Sequence, residues 1–227
     1  MPQEPAGVAD FIREANGRPL DEQLGNQMQS FQIPTQSEQN EFLLRLYFGM
    51  ASPLRACVDR AYLDFSRTLH GINQLADAAA VRTEAGELVQ SWLAKMPALT
   101  PDPNQDIFDA SHRSLCEQLC ALYGRHGFDS FAVGQSQKWL NMALKYVYVF
   151  GEERLPGFFY LYRLGHVPLD NIILDRLASL GSPRLSSGAW SRLRHYDEYL
   201  GFQHWIREKF PYSAPLAVEF HLWRTGE

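Results

Sequence analysis

The chain of 227 residues carries 45% hydrophobic and 21% charged side chains, a globular balance that excludes a disordered or fibrous polypeptide. Aromatics at 13% are enough to fill a core and line a pocket, and no apolar run approaches the roughly 18 residues of a transmembrane helix, so no membrane partner is expected. The net charge of −5 conceals an asymmetry: residues 1–131 hold 10 basic and 17 acidic side chains, residues 132–227 hold 11 and 9, and a polyanion is expected to meet the second half.

Helical periodicity runs almost throughout and strand-like alternation is scarce, so the expected fold class is all-α. The Asn16-Gly17 pair follows a helical-looking FIREA and does not separate two β-branched runs. Residues 37–50 open with Ser37 and carry an apolar stripe at Phe42, Leu43, Leu46 and Tyr47, which predicts a capped amphipathic helix. Pro53 stands where the next helix can begin, running through Arg55–Leu69, and residues 74–95 continue as helix to Met96-Pro97. Three prolines within residues 97–106 mark a break, read as the boundary between two lobes of one helical domain. Further helices are expected at 107–123, closed by Gly124 and Gly127, at 135–150, at 170–180 after Pro168, and at 186–209 before a short apolar tail. The helix at 135–150 has a wide apolar face of Trp139, Leu140, Met142, Ala143, Tyr146, Val147 and Phe150, with Lys145 read as a snorkelling lysine.

Several side-chain clusters invite chemistry. Cys57, Cys116 and Cys120 are too few for a disulfide framework, and the N-terminus MPQEPAGVADFIRE lacks the basic and apolar regions of a signal peptide, so a cytoplasmic location is expected. His112, Cys116 and Cys120 share one helix stripe, but a fourth ligand would drift off that face; buried packing is the better reading and no metal is expected. Trp190, His195, Tyr196, Tyr199, His204 and Trp205 on the last long helix read as packing rather than as a base-stacking pocket.

Two segments stand out together. In Val133-Gly134-Gln135-Ser136-Gln137-Lys138 a short apolar lead-in meets a glycine turn, and a lysine opens a buried helix. A helix start disfavours a cation, and a neutral amine is a nucleophile; the turn also offers backbone N–H groups to a phosphate. In Val167-Pro168-Leu169-Asp170 the proline favours an extended approach and the aspartate opens the next helix as an N-cap. The pair resembles the helix-hairpin-helix DNA glycosylases of base excision repair, whose hairpin reads like PGVGxK and whose downstream helix begins like VPVD. The separation of the two segments is similar to that in the archaeal 8-oxoguanine glycosylases. The likeness covers residues 133–177. Ser136 replaces the second hairpin glycine, no proline precedes Gly134, and no cysteine follows Cys120 to build the Fe–S cluster of some members.

The resemblance implies a two-lobe, all-α glycosylase-like fold, with the helix-hairpin-helix and catalytic segment at 128–180. It implies that Gly134, Gln135, Ser136 and Gln137 hold a DNA phosphate on backbone amides, and that a damaged nucleotide is flipped into a cleft. Lys138 would attack the sugar C1′, and Asp170 would stabilise the developing positive charge and help deprotonate the lysine. A Schiff base and strand cleavage would follow. The expected partner is DNA containing a damaged or modified base, met by a monomer without a cofactor. The same residues leave two other readings open: a non-catalytic helix-hairpin-helix module with Lys138 as a phosphate contact, and a helical interaction protein whose acidic first half is the working surface.

Overall fold

The computed structural model describes residues 33–49, 51–99 and 104–224, and among the described residues there are eight α-helices and no strand. They are α1 (Gln36–Phe48), α2 (Pro53–Phe65), α3 (Ala78–Lys95), α4 (Gln105–Arg125), α5 (Val133–Phe150), α6 (Asn171–Ser179), α7 (Tyr196–Lys209) and α8 (Pro215–Arg224). No described helix is long and apolar enough to cross a membrane. The helical reading of FIREA, and Met50 at the end of the first predicted helix, lie outside the described residues.

The helix starts follow local chemistry. α1 opens with a reciprocal box: the Glu38 amide donates to Thr35 Oγ1 (3.3 Å) and the Thr35 amide to Glu38 Oε2 (2.7 Å), so Thr35, and not the expected Ser37, is the cap. Pro53 occupies the first turn of α2, where its missing N–H costs nothing. Asn104 caps α4 by accepting from the Asp106 amide (2.8 Å). α5 ends at Gly151, whose φ of +79° suits glycine.

The chain forms two compact units, Met1–Leu46 and Tyr47–Glu227. The first shows α1 up to Leu46 among its described residues. In the second, the proline-rich stretch 97–106 joins two packed helices and does not divide the unit: α3 lies against α4, where Trp92 Nε1 donates to Ser111 Oγ at 2.9 Å. At the centre stands α5, buried over nearly its whole length. α2 lies along it, with Trp139 Nε1 donating to the Val58 carbonyl (3.0 Å) and Phe65 and Tyr62 set edge-on or tilted to the indole. α4 and α7 close its other sides. A helix buried nearly all round needs apolar residues nearly all round, and the stretch from Trp139 to Phe150 supplies them but for Asn141 and Lys145, whose polar ends are paired inside.

The last predicted helix starts too early. Residues 186–195 are a loop with one 3-10 turn, Trp190–Arg192, and α7 begins only at Tyr196. Trp190 and Leu193, which fit a helical stripe, instead pack this loop under α5. A Cβ at Gly134 would meet the Trp190 carbonyl oxygen at 1.9 Å, and the Gly134 amide donates to the Leu193 carbonyl at 2.9 Å. Gly134 is therefore required for close packing of chain on chain.

Candidate active site

The two segments singled out by the sequence meet. Lys138 Nζ lies 2.6 Å from Asp170 Oδ2, with the lysine side chain 6% and the aspartate 20% exposed. The other aspartate oxygen, Oδ1, accepts from the Ile173 amide at 2.9 Å and caps α6. Asp170 thus performs both tasks that a helix-opening aspartate can perform, with one oxygen for each.

The approach to Asp170 is fastened by glutamines. Gln137 donates through Nε2 to the Leu169 carbonyl (2.8 Å) and accepts from the Leu169 amide (3.1 Å). Gln203 of α7 holds the amide and carbonyl of Val167 in the same fashion, at 2.9 and 3.0 Å. The extended conformation before Pro168 leaves these backbone groups without helical partners, and side-chain amides replace them.

The expected phosphate cradle is not where the sequence put it. The glycine turn is already helix, since α5 begins at Val133 and Lys138 sits in its second turn. Gly134, Gln135, Ser136 and Gln137 are all buried. The Gly134 amide is taken by Leu193, and the Ser136 amide by the Ala132 carbonyl (3.1 Å). Gln135 Oε1 accepts from the Ala132 amide at 2.9 Å, and the Ser136 hydroxyl lies 3.5 Å from Cys120 Sγ. The loop at Trp190–Leu193 covers the helix start, so no phosphate reaches these amides in this conformation. The connection between α4 and α5 is the segment 126–132, with Gly127 at a φ of +80°.

Lys138 and Asp170 open into a cleft of about 530 Å³, within the second compact unit. Tyr47, Phe48, Phe220 and Trp223 supply its aromatic walls; Arg60, Asp64, Lys145, Tyr146 and Glu219 add polar groups, and Arg67 and Arg224 are exposed at its edge. Tyr146 donates to Asp64 Oδ2 (2.7 Å) and lies 3.2 Å from the Tyr47 hydroxyl. Burial raises the Asp64 carboxyl above the usual range, against the Tyr146 hydrogen bond and the charges of Lys138, Arg60 and Lys145. Burial, with the neighbouring Tyr47 and Asp64, pushes the Tyr146 phenol up.

Lys145 does not snorkel. It is buried and lies 2.7 Å from the Glu219 carboxylate of α8, whose side chain is 2% exposed. The signal was legible in part: Lys145 stands seven positions after Lys138, two turns on along one face. Glu219 is also the lone acid in the mostly apolar tail PLAVEFHLWR.

A second polar cluster lies on another side of α5. His112 contacts Tyr196 OH through Nδ1 (2.9 Å) and Asn141 Oδ1 through Nε2 (3.1 Å). His166 contacts Tyr199 OH through Nδ1 (2.8 Å) and Asp109 Oδ1 through Nε2 (2.8 Å). Asn141 donates to Tyr199 OH (2.7 Å) and to Gln137 Oε1 (3.2 Å). With both rings protonated on Nε2 alone, each hydrogen in this chain finds an acceptor. Burial lowers both histidines from their ordinary value; for His112 the neighbouring His166 adds to the effect, and for His166 the Asp109 carboxylate opposes it. His112 therefore has both ring nitrogens engaged by oxygen partners, and among the described residues no group of three His, Cys, Asp or Glu is placed to hold a metal.

No family model matches the chain, and no curated protein and no solved structure matches it.

Proposed function

We propose that this protein is a DNA glycosylase with associated lyase chemistry, acting on a nucleotide turned out into the cleft. The observation that carries the reading is the 2.6 Å contact between Lys138 Nζ and Asp170 Oδ2, made by two segments that resemble the glycosylase motifs separately. A cleft of about 530 Å³ has the size of a small-molecule site, and its aromatic walls suit a flipped base.

In this scheme Lys138 passes a proton to Asp170 and attacks C1′ of the flipped nucleotide. The new C–N bond forms as the glycosidic bond breaks, and the bond electrons leave with the base, which takes up the proton that Asp170 had accepted, so that Asp170 is a carboxylate again. The Asp170 carboxylate faces the positive charge that develops on the sugar. Ring opening converts the aminal to an imine, and loss of the sugar's C2′ proton then expels the 3′ phosphate. With the α5 amides covered, DNA is held in this reading by Arg67 and Arg224 at the cleft edge. The burial of Lys138 supports chemistry at the lysine over the alternative of a surface phosphate contact.

The test is covalent trapping. Incubation with a duplex bearing an abasic site, followed by borohydride, is expected to give a protein–DNA band with the wild type and none with Lys138→Ala. No band with the wild type, or an undiminished band with Lys138→Ala, ends the lyase reading. Lys95→Ala, at an exposed position, is the control; Lys145 cannot serve because it lines the same cleft.

A further inference from the structure

We infer that a second pocket, between the C-terminal end of α5 and the segment 151–163 that follows it, binds a flat aromatic carboxylate. The pocket shares no lining residue with the Lys138 cleft, and the inference goes beyond the glycosylase reading without resting on it.

The argument begins with the turn that builds the pocket. After Gly151 the chain winds round the Glu152 side chain. Glu152 Oε1 accepts from the Gly157 amide, and Oε2 from the amides of Phe158 (3.2 Å) and Phe159 (3.1 Å). A Cβ at Gly157 would come within 2.9 Å of Pro97 Cβ, so this turn packs closely on the end of another helix pair. Tyr148 of α5 donates to the Phe158 carbonyl at 3.4 Å and ties the turn back to the helix. Walls held by so many backbone contacts are formed before a ligand arrives, which lowers the cost of binding one.

The walls say what kind of body the ligand has. The pocket holds about 560 Å³, the size of a small-molecule site, and five of its lining residues are aromatic. Tyr148 and Tyr162 meet edge-on with ring centres 4.5 Å apart, and Phe158 is buried beside them. Phe159 and Tyr160 are 71% and 62% exposed, so the fixed turn holds two large rings in water. Rings set in this way receive another flat ring in offset or edge-on contact. A nucleobase would leave its polar edge unpaired against such walls, which sets this pocket apart from the cleft.

The charges say what the body carries. Glu152 and Arg163 are the charged residues of the lining. Both Glu152 oxygens face the amides of their own turn. Arg163 is exposed, and among the described residues no hydrogen bond or ion pair engages its guanidinium. A guanidinium fork matches the two oxygens of a carboxylate. An aromatic chamber beside one open cation therefore suits a ring that bears a carboxylate.

The experiment is calorimetric titration of the full chain at low salt with three probes: 2-naphthoate, 2-naphthylmethanol, which keeps the ring without the charge, and decanoate, which keeps the charge without the ring. The wild type is expected to bind naphthoate about tenfold more tightly than the alcohol, the size of a charged hydrogen-bonded pair, and more tightly than decanoate. Arg163→Gln should bring naphthoate to the level of the alcohol and leave the alcohol within about twofold of wild type, because a carboxylate alone uses the guanidinium. Tyr160→Ala should weaken both ring probes by about fivefold through lost ring contact. Both positions are exposed, so both variants should keep the wild-type urea midpoint. Arg67→Gln, at the edge of the Lys138 cleft, should leave all three affinities unchanged and so place the binding in this pocket. Decanoate bound as tightly as naphthoate, naphthoate affinity unchanged in Arg163→Gln and Tyr160→Ala, or naphthoate binding lost in Arg67→Gln overturns the inference. Absence of naphthoate binding to the wild type overturns it as well, and leaves Phe159 and Tyr160 as a surface for a protein partner.

Discussion

α5 carries buried polar residues on two sides, and the sides differ in kind. Toward α4 and α7, Gln137 and Asn141 join His112, His166, Tyr199 and the Leu169 backbone in a chain of neutral groups that ends on the Asp109 carboxylate and whose hydrogens all find acceptors. Toward the cleft, Lys138 and Lys145 face Asp170 and Glu219 as charged pairs, and one Glu219 oxygen lacks a donor. A satisfied network fixes one arrangement of the core; a charged, partly satisfied one facing a cavity keeps bonding capacity for a ligand. Burial of a polar residue therefore does not by itself mark a site. What marks it here is paired charge set in the wall of a cavity.

The largest effect should come from the cleft side and should be on rate. Asp170→Asn keeps an oxygen for the Ile173 amide, since asparagine caps about as well as aspartate, but removes the charge facing the sugar. Loss of a preorganised charge of that kind costs roughly 10²–10³-fold in base release. The variant also leaves Lys138 buried without its counter-charge, so its stability is expected to fall by up to about 3 kcal/mol. Lys138→Met/Asp170→Asn removes both charges and should recover to within about 1 kcal/mol of wild type in a urea titration while staying inactive. Failure of the double variant to recover would mean that the pair, like the histidine chain, is there to hold the fold.

On the network side the effect should be on stability. Asn141→Leu conserves volume but strips the acceptor from His112 Nε2 and the donor from Tyr199 and Gln137. With one buried donor orphaned and two hydrogen bonds lost, unfolding should be easier by about 3 kcal/mol. Trapping per folded molecule should change little at low temperature, because Lys138 and Asp170 are untouched. If Asn141→Leu is as stable as wild type, the contrast between the two sides fails.

Acid should strain the network before the cleft. His112 and His166 both have folded values lowered by burial, so the unfolded chain binds protons first as pH falls. Their contribution is fully present above about pH 6.5 and is lost below it, as pH drops toward the folded values, at about 1.4 kcal/mol per unit for each histidine. The slope of stability against pH between 6.5 and 5 measures this, and His112→Leu should roughly halve the histidine share. A flat profile there would mean that the rings take up protons while folded.

The difference between the two sides also explains what could be read in the sequence. The buried helix was legible because aromatic and aliphatic residues from Trp139 to Phe150 leave little polar face. The Lys138–Asp170 pair was legible because each residue sits in a short local pattern. The role of Gly134 was not, since the carbonyl that excludes a Cβ there belongs to Trp190, far along the chain. A local pattern of glycine and amides reads the same whether a phosphate or another loop covers it. Glu219 was legible only as the lone acid of the tail, because the cation that it meets lies on α5, far along the chain. The loop at 186–195 misled because Trp190 and Leu193 stand three apart, a helical spacing used here to pack a turn.

The smallest effect concerns the cleft edge. With the α5 amides covered, the cations left to meet phosphates beside the cleft are Arg67 and Arg224, both exposed. Each phosphate neutralised should contribute about −0.9 to the slope of log affinity against log salt, so two contacts predict a slope near −2. Arg67→Gln should then reduce the slope by about 0.9 and weaken binding to every duplex alike, because a phosphate contact carries no base information. A slope near −8 would mean a much larger cationic surface than this edge provides, and affinity indifferent to salt would remove the phosphate contacts altogether. A preference among bases that shifts in Arg67→Gln would show instead that the edge takes part in choosing the base, which a phosphate contact alone does not do.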